Sequence, residues 1–223
     1  MIDAHVDDFV DFVRQRLIDE SARIGRPALV VAAFDTELYG HWWHEGPRFL
    51  THALRWIHQD PEIEMLSGTE YLARYSPETA LALPEGSWGA GGGHWVWMND
   101  DTLWTWEKVY DAELDLRALL HDHGYGHDPA MRAIVEQAMR ELLLLQASDW
   151  QFLITTWSAR DYAGERLAFH HGDCKRLANM ARRYARGEWI AQEEWDYLGA
   201  CQDRDRPFSD LDPAWFAEVK NPA

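Results

Sequence analysis

Apolar residues at Val6, Phe9, Val10, Val13, Leu17 and Ile18 recur between charged positions at the spacing that lines one helix face, so a helix is predicted over 6–23. Gly25-Arg26-Pro27 ends it, because proline cannot donate to the hydrogen-bond ladder. The run Ala28-Leu29-Val30-Val31-Ala32-Ala33-Phe34 then shows no alternation, the pattern of a strand covered on both faces in a parallel sheet. It stops at Asp35. A helix is predicted at 47–58, a short strand at 62–66, and a further helix from a cap at Ser67 or Thr69 to Tyr75. Between 76 and 101 prolines and the glycine run 89–93, interrupted only by Ala90, mark a loop or lid that carries Trp88, Trp95 and Trp97. Beyond it the periodicity is helical throughout, over 106–121, 129–146, 149–157, 161–187 and 190–202, with Ser148 and Ser158 as caps, the latter in a Ser-x-x-Asp box with Asp161.

Two strands with apolar edges do not make a stable sheet, and a strand-helix barrel needs about eight strands. Either further strands come from elsewhere or the helical half covers the edges.

Charge narrows the partners. The formal net charge of −17 disfavours a phosphate backbone or an anionic membrane surface, so neither nucleic acid nor membrane is an expected partner. Cys174 and Cys201 make neither a metal-type pair nor a disulfide framework, which fits a reducing cytoplasm. With no long apolar run and an acidic start, the expectation is a soluble, cytoplasmic, unexported protein. Thirteen tryptophans in 223 residues exceed ordinary usage, and an indole suits a core, an interface or the apolar face of a sugar ring.

A carboxylate at the C-terminal end of a buried strand is held by the sheet yet open to substrate, and Asp35 has that position. The alternative for it is a turn cap, with the aromatic residues after it packing inward. The stretch Ala33-Phe34-Asp35-Thr36-Glu37-Leu38-Tyr39-Gly40-His41-Trp42-Trp43-His44-Glu45-Gly46-Pro47 resembles the fourth signature of glycoside hydrolase family 57, in its glycogen (1,4-α-glucan) branching enzyme subgroup. Gly86-Ser87-Trp88-Gly89 with His94-Trp95-Val96-Trp97-Met98-Asn99 is similar to that subgroup's tryptophan loop, and Leu145-Gln146-Ala147-Ser148-Asp149-Trp150-Gln151-Phe152 to its late helical motif. The sequence departs from the pattern at His44, Gly86, Gly93 and Trp95.

The resemblance implies a mainly α chain, with terminal strand-helix units of a distorted (β/α) barrel over 1–100 and an all-helical C-terminal domain over 101–223. It implies a retaining activity that cuts α-1,4 and forms α-1,6 links in amylose, glycogen or maltooligosaccharides, without metal or organic cofactor. Asp35 would be the acid/base, Trp88 and Trp97 would stack on glucan, and Asp149 would bind sugar hydroxyls. The family's histidine motifs and glutamate nucleophile have no counterpart here, and Glu37 is too close to Asp35 to serve. The resemblance thus implies a C-terminal portion, arising by truncation or by gene splitting with a further polypeptide supplying the missing half, and the chain alone would not turn over.

Two other readings stand beside this one. A non-catalytic module would hold glucan, or a partner subunit, without cutting it. A metal hydrolase would use His121, His123 and His127 in a glycine-bearing turn, although that spacing matches no known zinc pattern.

Overall fold

The computed structural model describes residues 2–41, 43–124 and 128–217. Its helices are α1 (Ile2–Ile24), α2 (Gly46–Gln59), α3 (Gly68–Arg74), α4 (Leu103–His123), α5 (Pro129–Leu145), α6 (Asp149–Thr155), α7 (Arg160–Ala185), α8 (Gln192–Arg204) and α9 (Ala214–Ala217). They divide into two compact units, Met1–Ala82 and Leu83–Ala223, so segment 83–100 packs within the second unit.

In the second unit α7 is the central helix, with α4, α5 and α6 packed against it. Met131, Ile134, Val135, Ala138, Leu142 and Leu145 recur along α5 at helical spacing and are all buried, as are Leu167, Leu177 and Met180 of α7. Each large side chain removed from water this way contributes about 1.5–3 kcal/mol before entropy is counted. Pro129 opens α5 where a missing N–H is harmless, and Asp128 accepts from the Ala130 amide at 2.8 Å. The cap expected at Ser158 is not formed. Its hydroxyl pairs with Thr156 Oγ1 at 2.8 Å, and α7 starts at Arg160 behind Ala159.

The first unit is smaller in its core. Val6 and Val10 of α1 meet Ala53 of α2, with Phe9, Phe49, Trp56 and Ile57 around them. Salt bridges from Arg14 to Asp60 at 3.4 Å and from His52 to Asp3 at 2.8 Å fasten the pair at the surface. A capping box between Ser67 and Glu70 starts α3, so the predicted cap is the first of the two candidates.

The two predicted strands do not form. Among the described residues no strand is present, and 28–34 and 63–66 are irregular. The reason is that a strand exists only with a hydrogen-bonded neighbour, and neither segment finds one. Leu29, Val30, Val31 and Phe34 are therefore exposed, Val31 by 75 %. With α1 and α2 these segments border an apolar groove of about 760 Å³, whose walls include Phe9, Leu17, Leu29, Phe34, Leu50 and Met65. The architecture is thus helical, without the barrel strands. No described helix is long and apolar enough to cross a membrane.

Candidate functional site

In the first unit Asp35 directly precedes a single 3-10 turn, Thr36–Tyr39. Its carbonyl accepts from the Leu38 amide at 3.1 Å, while its side chain makes no capping bond and is exposed. The segment behind it is anchored by rings. Tyr39 meets Phe34 at 5.9 Å and Trp43 at 5.5 Å between centroids, and Trp43 meets Phe49 of α2 at 5.0 Å. Gly46 makes this close approach possible, since a Cβ there would lie 2.9 Å from Tyr39 Cα and 3.1 Å from the Trp43 ring. Tyr39 and Trp43 thus pack inward, and the carboxylate is left in solvent on a turn they fix. Glu37 lies within the turn and is also exposed.

In the second unit the tryptophan loop is closed by its own backbone. Ser87 N donates to Gly92 O at 2.9 Å, and Ser87 Oγ donates to Gly93 O at 2.5 Å while accepting from Gly89 N at 3.0 Å. Gly91 and Gly92 take positive φ of 67° and 75°, and a Cβ on Gly89 would stand 2.3 Å from Gly93 O. Glycine is thus required at these turns.

The structure brings Trp88, Trp97 and Asp149 together around α6. Trp97 Nε1 donates to Ser148 O at 3.1 Å, and Trp97 O accepts from Trp106 Nε1 at 2.8 Å and Thr102 Oγ1 at 2.9 Å. Phe152 of α6 serves both indoles, 5.7 Å from Trp88 and 6.4 Å from Trp97 between centroids. Trp88 is 76 % exposed. Asp149 is the first residue of α6, exposed, beside Ser148, whose side chain makes no capping bond. The result is an open aromatic ledge with a carboxylate at its edge, suited to a ligand that has apolar faces and hydroxyl rims. Phe152 belongs to the late helical motif but carries no polar group that marks it as functional. The available signal was its place one turn after Asp149, on the same side of a helix.

Two buried carboxylate groupings lie deeper in the second unit. Ligand atoms of Glu141, Asp173 and Cys201, and of Glu141, His170 and Asp205, lie within 4.8 Å of one another. Their carboxylates already have cationic partners, Arg204 and, for Asp205 at 3.7 Å, Arg166. Arg204 pairs with Asp173, with Asp205 at 2.7 Å and with Glu141 at 3.8 Å, and Tyr197 donates to Asp173. Burial, with Asp173 nearby, pushes the Cys201 thiol up to about 11, and burial chiefly pushes Cys174 up to about 12. Both thiols are therefore protonated in the structure as it stands. A guanidinium occupies the place a cation would take. Of the histidines considered for zinc, His121 pairs with Asp122 at 2.9 Å and His127 lies outside the described residues.

Comparison with known proteins bears on this arrangement. Residues 108–216 match the model of a family described as 1,4-alpha-glucan branching enzyme, C-terminal. The 1,4-alpha-glucan branching enzyme of Thermococcus kodakarensis is 39% identical over 208 residues, which is 93% of this chain and 30% of that protein. A probable 1,4-alpha-glucan branching enzyme of Mycobacterium tuberculosis is 38% identical over 201 residues, covering 83% of this chain and 38% of that one. The crystal structure of the Thermococcus enzyme aligns with a TM-score of 0.76 at 37% identity, covering 99% of this chain and 40% of the solved one. The GH57-type branching enzyme of Pyrococcus horikoshii aligns over 100% of this chain and 41% of its own, with a TM-score of 0.74 and 34% identity. The chain therefore spans well under half the length of the relatives it matches.

Proposed function

We propose that this chain, homologous to the C-terminal region of family 57 1,4-α-glucan branching enzymes, contributes an acid/base carboxyl and a glucan-stacking ledge to a retaining glucan-branching site completed by residues outside it. The observation that carries the reading is the aromatic ledge of Trp88, Trp97 and Phe152 with Asp149 at its edge, in a chain whose whole length aligns with a branching enzyme.

Retention requires two carboxyl groups about 5 Å apart. A carboxylate supplied from outside this chain attacks the anomeric carbon, the α-1,4 C–O bond breaks, and Asp35 gives its proton to the departing 4-oxygen. The 6-hydroxyl of an acceptor glucan then attacks the same carbon. Asp35 takes its proton, the ester to the nucleophile breaks, and an α-1,6 link of unchanged configuration forms. Trp88 and Trp97 hold sugar faces and Asp149 accepts from sugar hydroxyls, so binding energy is spent on orientation.

The irregular runs 28–34 and 63–66 support the incomplete-site reading. Each has the apolar composition of a buried strand and no neighbour, beside a groove whose walls are apolar. In the proposal they become strands of a (β/α) barrel when the remaining part of the enzyme, supplied as a separate polypeptide, fills that groove. The two unbridged, buried cysteines accord with a cytoplasmic setting.

The test is turnover of amylose. The purified chain alone should make no new α-1,6 linkages, and adding the N-terminal part of a relative should restore branching that Asp35→Asn abolishes with maltoheptaose binding kept. Branching by the chain alone, or by the complemented Asp35→Asn variant, overturns the proposal. Binding that never leads to turnover favours a non-catalytic glucan-holding module. The self-contained core of the second unit, which carries the whole ledge, is what gives that alternative weight.

A further inference from the structure

We propose that Trp157 is an additional α-glucan stacking position beyond the ledge. The inference rests on the glucan reading above and adds a residue to it.

Trp157 lies just past the end of α6 with φ of 59°, a left-handed conformation in which a Cβ crowds the backbone. Chain segments leaving a helix commonly use glycine there, because glycine carries no such strain. Here the position holds the largest side chain, and its indole is 71 % exposed. Stability therefore gains neither relaxed backbone nor burial from this residue. Strain of this kind persists where surrounding contacts impose it and where the side chain is needed in place.

The surrounding contacts are on both sides of it. Before it, Thr155 Oγ1 donates to Val96 O at 2.6 Å and accepts from Asn99 Nδ2 at 2.9 Å, and Asn99 Nδ2 also donates to Trp95 O at 2.8 Å. After it, the Arg160 guanidinium lies 4.4 Å from the centre of the Trp157 ring and is paired to Asp101 at 3.3 Å. Both ties end on segment 95–101, which carries Trp97. The turn is thus stitched to the tryptophan loop at two points. One face of the indole rests on a fixed cation and the other faces solvent.

A ring oriented in advance loses little freedom when a sugar stacks on it, which is what an outer subsite for an extended chain requires. Trp157 lies two residues past the end of α6, the helix that carries Phe152.

The experiment is calorimetric titration of the whole chain with maltoheptaose, for the wild type, Trp157→Ala, Trp157→Gly and Trp88→Ala, with the thermal midpoint of each. Trp157→Ala and Trp157→Gly should bind about three- to tenfold more weakly, the range of one lost ring contact. Trp157→Gly should melt no lower than the wild type, because it relieves the left-handed backbone. Wild-type affinity in both Trp157 variants, with binding weakened by Trp88→Ala, overturns this inference and leaves the glucan reading standing. No binding of maltoheptaose by the wild type overturns both.

Discussion

Among single residues, Glu141 and His170 have the most demanding environment, since both side chains are fully buried. Arg166 Nη2 lies 2.8 Å from His170 Nε2, and because a guanidinium only donates, Nε2 is an acceptor. The ring proton is therefore on Nδ1, 2.6 Å from Glu141 Oε2, and a neutral imidazole donates to a carboxylate. Glu141 Oε1 accepts from Gln137 Nε2 at 2.8 Å and faces Arg204 at 3.8 Å. Removing Glu141 leaves the buried His170 Nδ1–H without an acceptor and Gln137 Nε2 with Asp205 O alone, at 3.5 Å. Glu141→Leu should lower the unfolding free energy by about 1–3 kcal/mol, read from the urea midpoint at unchanged slope. Adding His170→Leu should recover part of that loss, because the pair is coupled. None of this was legible in the sequence, where Glu141 belongs to what reads as a solvated charge run and His170 to an adjacent histidine pair. Burial of an α5 face against α7 is a tertiary fact, and helical spacing does not say which polar residue is carried inside with it. The motifs that carry Asp35, Trp88, Trp97 and Asp149 are local features of the sequence, and the glucan roles given to these residues belong to the proposal.

Helices α4 to α8 of the second unit were legible to within a few residues, since a period of 3.6 is written into each segment separately, whereas the four-residue α9 is too short to show one. The two strands were misread for the opposite reason. Their apolar composition is local, but pairing is not, and no partner is present among the described residues. Ionic contacts between helices lie between these extremes, and α4 with α7 is the clearest case. Asp115 bonds Arg182 and lies 3.0 Å from Lys175, while Asp111 contacts His171 at 3.1 Å and Lys175 at 3.2 Å. Burial acts to raise the Asp115 carboxyl, but the bonds and charges of Arg182 and Lys175 outweigh it and hold it below the ordinary 3.8. At Asp111 the His171 bond leads in lowering the value, against a smaller effect of burial. Both folded values lie below the unfolded one, so their contribution is present above an unfolded pKa of about 3.9 and is lost as pH falls through the folded values. Replacing Asp115 with Asn should therefore lower the thermal midpoint at neutral pH and flatten its fall below about pH 4. A fall as steep as in the wild type would show that Asp115 does not contribute to the acid limb.

For the whole chain, the division into two units makes cooperativity the measurable quantity. The second unit draws its core from α4, α5, α7 and α8, whereas the buried apolar side chains of the first are Val6, Val10 and Ala53 among the described residues. Around that small core, Leu29, Val30, Phe34 and Met65 remain exposed beside the apolar groove. Local opening free energy follows buried apolar contact, so the first unit should open well below the global unfolding energy of the second. Hydrogen exchange should thus show amides of α1 and α2 exchanging before those of α5 and α7, and denaturation should depart from a single transition. In the proposal, a complementing N-terminal polypeptide that fills the groove would bury those side chains and give 28–34 and 63–66 a pairing partner. It should slow exchange in α1, α2 and both segments while leaving α5 and α7 as they were, because binding stabilises the unit that binds. Equal protection of both units in the isolated chain would mean that the first is already satisfied as it stands. Its exposed apolar run would then not be a docking edge.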